Sequence, residues 1–299
     1  STATATATAT ANPSHRLAPP RLAAVPALLA VRVAVTELAE HARCPRRVYF
    51  SRHLGLPEPG PGGPSQDDPD RASARGTLAH AMLSEVDLAA SPLERRPQLQ
   101  AVVLRRGYDP ASPGVRRILG DVARFLETEP GRRLGRAAHA GQLRREVPFL
   151  LRLDADGVPS CYLVGAIDAL LEDRRGIEVI DFKYALARPG AAERYRLQLL
   201  AYALAAGRAF PQRRISARLQ FLRGGCASID VTPAAAELRR FAREAPRLAA
   251  LVHAGADLDR TPRELGRDEA RCRAEGCGYV SRCFAIQRTS PGAFRSRVP

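Results

Sequence analysis

The sequence predicts an α/β or α+β fold: a central mixed β-sheet flanked by helices, with helical additions at both ends. Three observations predict it. The hydrophobic period changes from helical to alternating at Gln142. Three strand-like runs then follow in series, over 143–153, 161–172 and 177–184. A strongly helical run over 191–206 separates them from two further strands at 215–222 and 226–231. The 299 residues leave room for a sizeable core, as one large domain or two small ones.

In chain order, residues 1–34 open on an alternating Ser/Thr/Ala tract and continue through Pro-rich sequence, which reads as a linker or tail. Thr36 offers an N-cap, with Glu37 and Glu40 in the first turn, for a short helix ending near Arg43. Cys44-Pro45 restarts the chain, and Arg46 to Leu54 reads as a second helical piece stopped by Gly55. Residues 57–70 are a Pro/Gly loop. A helix over 75–88 carries Leu78, Met82, Leu83 and Val86 as its buried stripe, and a further helix spans about 113–129. Asp173-Arg174-Arg175-Gly176 is a turn between the second and third strands. Thr232-Pro233 opens a helix to about Ala254, with Pro at its first position. The expected organisation is a linker to residue 34, one domain over 35–290 with its core at about 75–231, and a tail over 291–299.

A formal charge of +15 points to a polyanionic partner, nucleic acid first and an anionic membrane surface second. No apolar run reaches the roughly 18 residues of a membrane span. The N-terminal run from Leu22 to Val35 is interrupted by Pro26 and Arg32 and lacks the frame of a signal peptide. The expectation is an intracellular protein, in a bacterial cytoplasm, and a chain opening on Ser reads as a segment of something longer.

Lys183 is the only lysine among the 46 Lys and Arg residues. Where solvated positive charge is written as Arg throughout, a retained Lys marks a position that needs a compact ammonium rather than a planar fork. It lies in Ile180-Asp181-Phe182-Lys183, two residues after an aspartate and on the same strand face. With a two-residue loop at Arg174-Arg175, Asp168 stands directly opposite Asp181, with Cβ atoms about 5 Å apart. Like charges at that spacing are unfavourable, and a divalent cation relieves them. Gly176 allows instead a three-residue loop with a bulge, which sets Asp168 beside Phe182. Gln198 and Tyr202 are i, i+4 neighbours on the following helix.

Gly165-Ala166-Ile167-Asp168, then Asp181-Phe182-Lys183, then Gln198 to Tyr202, with Arg75-Gly76-Thr77-Leu78-Ala79-His80 upstream, resembles the motif series of RecB-type nucleases in the PD-(D/E)XK superfamily. The resemblance covers about residues 75–202 and implies a restriction-endonuclease-like core. It implies that His80, Asp168, Asp181 and the carbonyl of Phe182 ligate Mg²⁺ or Mn²⁺, that Lys183 orients or activates the attacking water, and that Gln198 and Tyr202 place the lysine and the DNA backbone. Hard oxygen donors suit Mg²⁺, whereas imidazole is more at home with Mn²⁺. Glu146, near the start of the first of these strands, is a candidate partner of the ligands.

Cys272, Cys277 and Cys283 cluster near the C-terminus, Cys44 stands near the start, and Cys161 and Cys226 fall in strand patterns as small core residues. In an intracellular protein, three close cysteines argue for a metal, and Cys44 is the natural fourth ligand. Spacing does not separate Zn²⁺ from an iron–sulfur cluster. The same family carries a [4Fe–4S] cluster on one upstream and three C-terminal cysteines, so the resemblance implies a cluster that staples the two ends, although the first C-terminal interval is longer than the commoner C-x2-C. Residues 36–50 and 272–283 look most like the nuclease part of AddA/RecB-like helicase–nucleases. That implies a metal-dependent exonuclease acting on single-stranded DNA, delivered by a helicase in the same chain or a partner subunit, in double-strand-break repair. A free-standing CRISPR-associated RecB-like exonuclease and a catalytically dead DNA-binding scaffold remain alternatives.

Overall fold

A computed structural model describes residues 30–59, 72–254 and 269–288. Most of the expected linker (1–29), much of the expected loop (60–70), residues 255–268 and the terminal tail (291–299) lie outside the described residues. The fold is a mixed six-stranded sheet with helical layers on both faces.

Residues Ala30–Ala34, expected as linker, form strand β1, which runs directly into helix α1 (Val35–Arg43). Ala34 is therefore the N-cap, without a side-chain cap, and Thr36 lies inside the first turn. Helix α2 (Pro45–Val48) continues as a π-helical turn over Tyr49–His53 and ends before Gly55, which has a φ of 60°. Helix α3 (Ala72–Glu85) buries Leu78, Met82, Leu83 and, just past its end, Val86. Two helices unread in the sequence flank α5 (Pro113–Leu126): α4 (Pro92–Arg105) and α6 (Glu129–His139). A capping box of Ser91 and Glu94 starts α4, and the Thr128 side chain caps α6.

Strands β2 (Leu143–Leu153), β3 (Ser160–Asp173) and β4 (Gly176–Lys183) follow, then helix α7 (Ala191–Ala209), β5 (Ile215–Phe221) and the short β6 (Ser228–Asp230). Helix α8 (Ala235–Ala254) starts after Thr232-Pro233 rather than at it: the Thr232 hydroxyl instead accepts from Ala217 N on β5. The C-terminal helices α9 (Glu269–Ala274) and α10 (Val280–Arg288) complete the described chain.

The β3–β4 register is that of a two-residue loop, with Asp173 opposite Gly176 and Ala169 opposite Ile180. Gly176 has a φ of 147°, and a Cβ there would stand 2.1 Å from Arg214 O, so only glycine fits this corner. Three strands share β3. Strand β2 runs antiparallel along one edge, while β1 (parallel) and β4 (antiparallel) divide the other. Pairing with β1 ends at Val164 and pairing with β4 begins at Ala169, so Gly165 to Asp168 have no ladder partner on that edge. The sheet opens there.

One core layer joins α1, α7 and α8 to the sheet through residues such as Leu38, Leu163, Val179, Leu199 and Phe241. The opposite layer packs α3 to α6 against it through Met82, Val103, Phe125, Ile180 and Phe182. Each such side chain taken fully from water stabilises the fold by about 1.5–3 kcal/mol. The two layers fix which way β4 points: Ile177 and Val179 face α7, and by alternation so do Asp181 and Lys183, while Phe182 faces α3 and α5.

Candidate active site

The opening in the sheet brings the motif residues together at the carboxyl ends of the parallel pair β4 and β5. Asp181 is fully buried, and the Lys183 ammonium stands 2.7 Å from its Oδ2. Gln198 on α7 ties the set: its Nε2 donates to Asp181 Oδ1 (3.0 Å) and to the Tyr202 hydroxyl (2.8 Å), and its Oε1 accepts from Lys183 Nζ (3.3 Å). The ammonium also lies 4.6 Å from the centre of the Tyr195 ring, one helical turn earlier. Gln198 and Tyr202 are themselves buried, at 9% and 4% exposure. Of the two expected roles, placing the lysine and placing the DNA backbone, the hydrogen bonds run to the first: Gln198 reaches both Asp181 and Lys183, and Tyr202 reaches Gln198. The Tyr202 ring packs edge-on against Phe149, beside Gly165, where a Cβ would meet both rings.

On the other side, Asp168 does not complete the ladder opposite Asp181. Its Oδ2 accepts the Phe182 N–H at 2.7 Å in place of a backbone partner, and its Oδ1 faces His80 Nδ1 at 3.3 Å. His80 Nε2 lies 2.9 Å from the Phe182 carbonyl oxygen. Both expected backbone and imidazole donors thus stand in one cluster. Glu146 joins them. It sits across from Asp168 on β2 at the one position where that ladder skips a pair, and its φ is +48°. A non-glycine residue in that region costs about 1–3 kcal/mol and persists where something holds it. Here its carboxylate is brought within 4.8 Å of ligand atoms of His80 and Asp168.

Burial pushes the Asp181 carboxyl up, and the Asp168 charge adds to that against the pull of Lys183. Burial alone would lower Lys183, but the Asp181 and Asp168 carboxylates outweigh it and hold the ammonium charged. His80 behaves likewise: burial lowers it, and the hydrogen bond and charge of Asp168 reverse the sign. Glu146 is raised by burial and by Asp168. The site is thus a set of crowded acids around one ammonium.

These donors fit a hard divalent cation. The Glu146 and Asp168 carboxylates and the His80 imidazole offer atoms within 4.8 Å of one another, the Phe182 carbonyl lies 2.9 Å from His80, and the buried Asp181 carboxylate stands beside them paired with the Lys183 ammonium. Crowded carboxylate and carbonyl oxygens suit a hard divalent cation, and the imidazole suits Mn²⁺.

The four cysteines Cys44, Cys272, Cys277 and Cys283 line a single cavity together with Phe50 and Tyr279. None of the six cysteines is in a disulfide. The walls are tied across the chain ends: Arg47 donates to Glu58 (2.6 Å), Glu58 accepts from Gly278 N (2.9 Å), and the Tyr279 hydroxyl donates to Leu56 O (2.6 Å). Cys161 is a core residue of β3, and Cys226 is buried in the turn before β6 rather than in a strand.

A mixed sheet between helical layers, opened at a cluster of acids around one lysine, defines a restriction-endonuclease-like fold. Residues 32–284 match the family model described as the PD-(D/E)XK nuclease superfamily, and the chain belongs to that superfamily. It is similar to an ATP-dependent helicase/nuclease subunit of Bacillus cereus (strain Q1), at 30% identity over 155 residues, covering 44% of this chain and 12% of that protein. The ATP-dependent helicase/nuclease subunit of the same name from Moorella thermoacetica is 30% identical over 167 residues, covering 52% of this chain and 12% of the relative. The chain thus spans about an eighth of the length of these curated relatives. Among solved structures, a protein from Eubacterium rectale provisionally named an exonuclease is 8% identical with a TM-score of 0.46, covering 80% of this chain and 86% of that one. No helix among the described residues is long and apolar enough to cross a membrane.

Proposed function

We propose that this chain is a divalent-metal-dependent deoxyribonuclease that hydrolyses phosphodiesters of single-stranded DNA, with Asp168, Asp181, His80 and the Phe182 carbonyl holding Mg²⁺ or Mn²⁺. The observation that carries the proposal is the gathering of ligand atoms of His80, Glu146 and Asp168 within 4.8 Å of one another, with Asp168 bound through the Phe182 N–H to the strand that bears the Asp181–Lys183 pair. Glu146 joins the ligands directly or through water. An ion bound there supplies charge neutralisation at the phosphoryl oxygens and a more acidic water.

The protein's own residues do the rest. Lys183, held by Asp181, Gln198 and Tyr195, presents an ammonium that orients the attacking water and offsets charge developing on the phosphorane-like transition state. Gln198 and Tyr202 keep that ammonium and Asp181 in register, which is a positioning role. Lys183→Ala tests the reading: Mg²⁺- or Mn²⁺-dependent cleavage of a labelled oligonucleotide is lost while binding to it stays nearly unchanged. Unchanged cleavage removes the proposed role.

The four cysteines gathered on one cavity support a bound metal there, a [4Fe–4S] cluster or Zn²⁺, since both accept four thiolates. Thiolates of Cys44, Cys272, Cys277 and Cys283 would hold either and staple the chain ends. The relatives' names, helicase/nuclease subunits, support a place for this domain beside a helicase, in the same chain or a partner subunit. The proposed setting is the processing of DNA ends in recombinational repair, in the bacterial cytoplasm.

A further inference from the structure

Next to the metal cluster lies a second feature that the proposed chemistry does not use. A cavity of about 600 Å³ extends from His80 and Lys183 between the β4–α7 connection and the β5–β6 connection, and four arginines line it: Arg75, Arg188, Arg194 and Arg223. Arg75 stands on α3, Arg188 in the connection before α7 and Arg194 on the first turn of α7, whereas Arg223 is built into the wall. Its guanidinium lies over the Tyr184 ring, 5.6 Å from the centre, and its Nε is 3.9 Å from Asp121 Oδ2. The Tyr184 hydroxyl donates to the same Asp121 oxygen at 2.9 Å. Asp121, on α5, is buried at 8% exposure and is also bound by Arg124 at 2.9 Å.

The backbone makes this arrangement rigid with the site. Tyr184 directly follows Lys183. Leu222 N, the neighbour of Arg223, donates to the Lys183 carbonyl at 3.0 Å, and Phe221 pairs with Lys183 in the parallel ladder. The catalytic lysine and Arg223 therefore leave the sheet side by side at the carboxyl ends of adjacent strands, where ligands of parallel sheets are bound. A side chain about one-third exposed, stacked on one face with its Nε turned to a buried carboxylate 3.9 Å away, has its two terminal nitrogens to offer a ligand in the cavity.

We infer that Arg223, oriented by the Tyr184–Asp121 pair, holds a DNA backbone phosphate adjoining the one that is cleaved. This rests on the nuclease reading and extends it: Arg223 is a contact of the substrate strand, and Tyr184 and Asp121 are positioning residues that act through it. A contact to a backbone phosphate carries no sequence information, so it serves single strands of any sequence.

The test is binding of a fluorescent oligothymidylate with Ca²⁺ in place of Mg²⁺, over a range of salt, with cleavage in Mg²⁺ or Mn²⁺ followed in parallel. Loss of one single-strand phosphate contact lowers the slope of log affinity against log salt by about 0.7 and, at about 0.1 M salt, weakens binding about fivefold. Arg223→Gln gives that change. Arg223→Lys restores the slope, and Arg96→Gln, which removes the same charge from exposed α4, leaves both quantities at the wild-type value. Tyr184→Phe weakens binding about twofold alone and adds nothing in the Arg223→Gln background, the mark of residues acting through one contact. The inference is overturned if Arg223→Gln binds like Arg96→Gln, or if the Tyr184→Phe effect persists unchanged in the double variant. A wild-type protein that binds but never cleaves sinks the nuclease reading alone, since the binding arm still decides the role of Arg223.

Discussion

Gln198 is the hinge on which the site's geometry turns, so Gln198→Leu has a consequence that can be worked out from its contacts. The substitution keeps the volume of a buried helical side chain but removes three hydrogen bonds: to Asp181 Oδ1, to the Tyr202 hydroxyl and from Lys183. The bond to the buried carboxylate is charge-assisted and contributes about 1.5–3 kcal/mol, the Tyr202 bond about 1, and the 3.3 Å bond from Lys183 little. The sum is about 3 kcal/mol, which in a domain of this size lowers Tm by about 6 °C. Tyr202→Phe removes only one of the three and lowers Tm by about 2 °C. Thermal unfolding followed by circular dichroism, with and without Mn²⁺, measures both. The Gln198→Leu deficit shrinks in saturating Mn²⁺, because a cation on Asp181 replaces the lost donor. Both variants melting within about 1 °C of wild type, or a deficit indifferent to Mn²⁺, refutes the positioning argument.

Two further outcomes follow from the frame around the site. Gly176→Ala forces a Cβ against the Arg214 carbonyl in a backbone region closed to L side chains, and urea unfolding should show a loss of about 2–4 kcal/mol; a change below about 1 kcal/mol would mean that this corner does not hold the β3–β4 register. Cys277→Ser should abolish bound metal and lower Tm, read by iron, sulfide and zinc analysis and by the visible spectrum of anaerobically purified protein. Wild-type protein holding neither iron nor zinc ends the staple reading.

The hairpin that carries Asp168 and Asp181 is legible in the sequence because its information is local: a two-residue loop bounded by Asp173 and Gly176 sets every pair beyond it. Local pattern leaves a bulged alternative open, which the observed register rules out, and the close approach of Gly176 to Arg214, far along the chain, is invisible to that pattern. Strand β1 is hidden for the opposite reason. Five residues of alternation beside a low-complexity tract carry little signal, and the strand exists only by parallel pairing with residues 160–164. Helices α4 and α6 do have sequence signals, in Ser91-Pro92 with Glu94 and in Thr128 with Pro130, both standard helix starts.

At the site, residue identities are legible and directions are not. The i, i+4 spacing of Gln198 and Tyr202 places them on one face, but whether that face meets solvent or sheet is decided by α7 packing on β4 and β5. Glu146 has a signal in the register arithmetic, since it stands across from Asp168 when β2 pairs with β3. Its positive φ has none. Asp121 and Arg223 come together only through the fold, on α5 and beyond β5.

The central claim is that Asp168, Asp181 and Lys183 act on one phosphodiester through a shared divalent ion. Single-turnover cleavage of an oligonucleotide bearing one phosphorothioate, as separated diastereomers, tests it most directly, because sulfur binds Mg²⁺ poorly and Mn²⁺ better. The account predicts that one diastereomer is cut far more slowly than the oxygen substrate in Mg²⁺ and regains its rate in Mn²⁺. Equal cleavage of both diastereomers in either metal would contradict it.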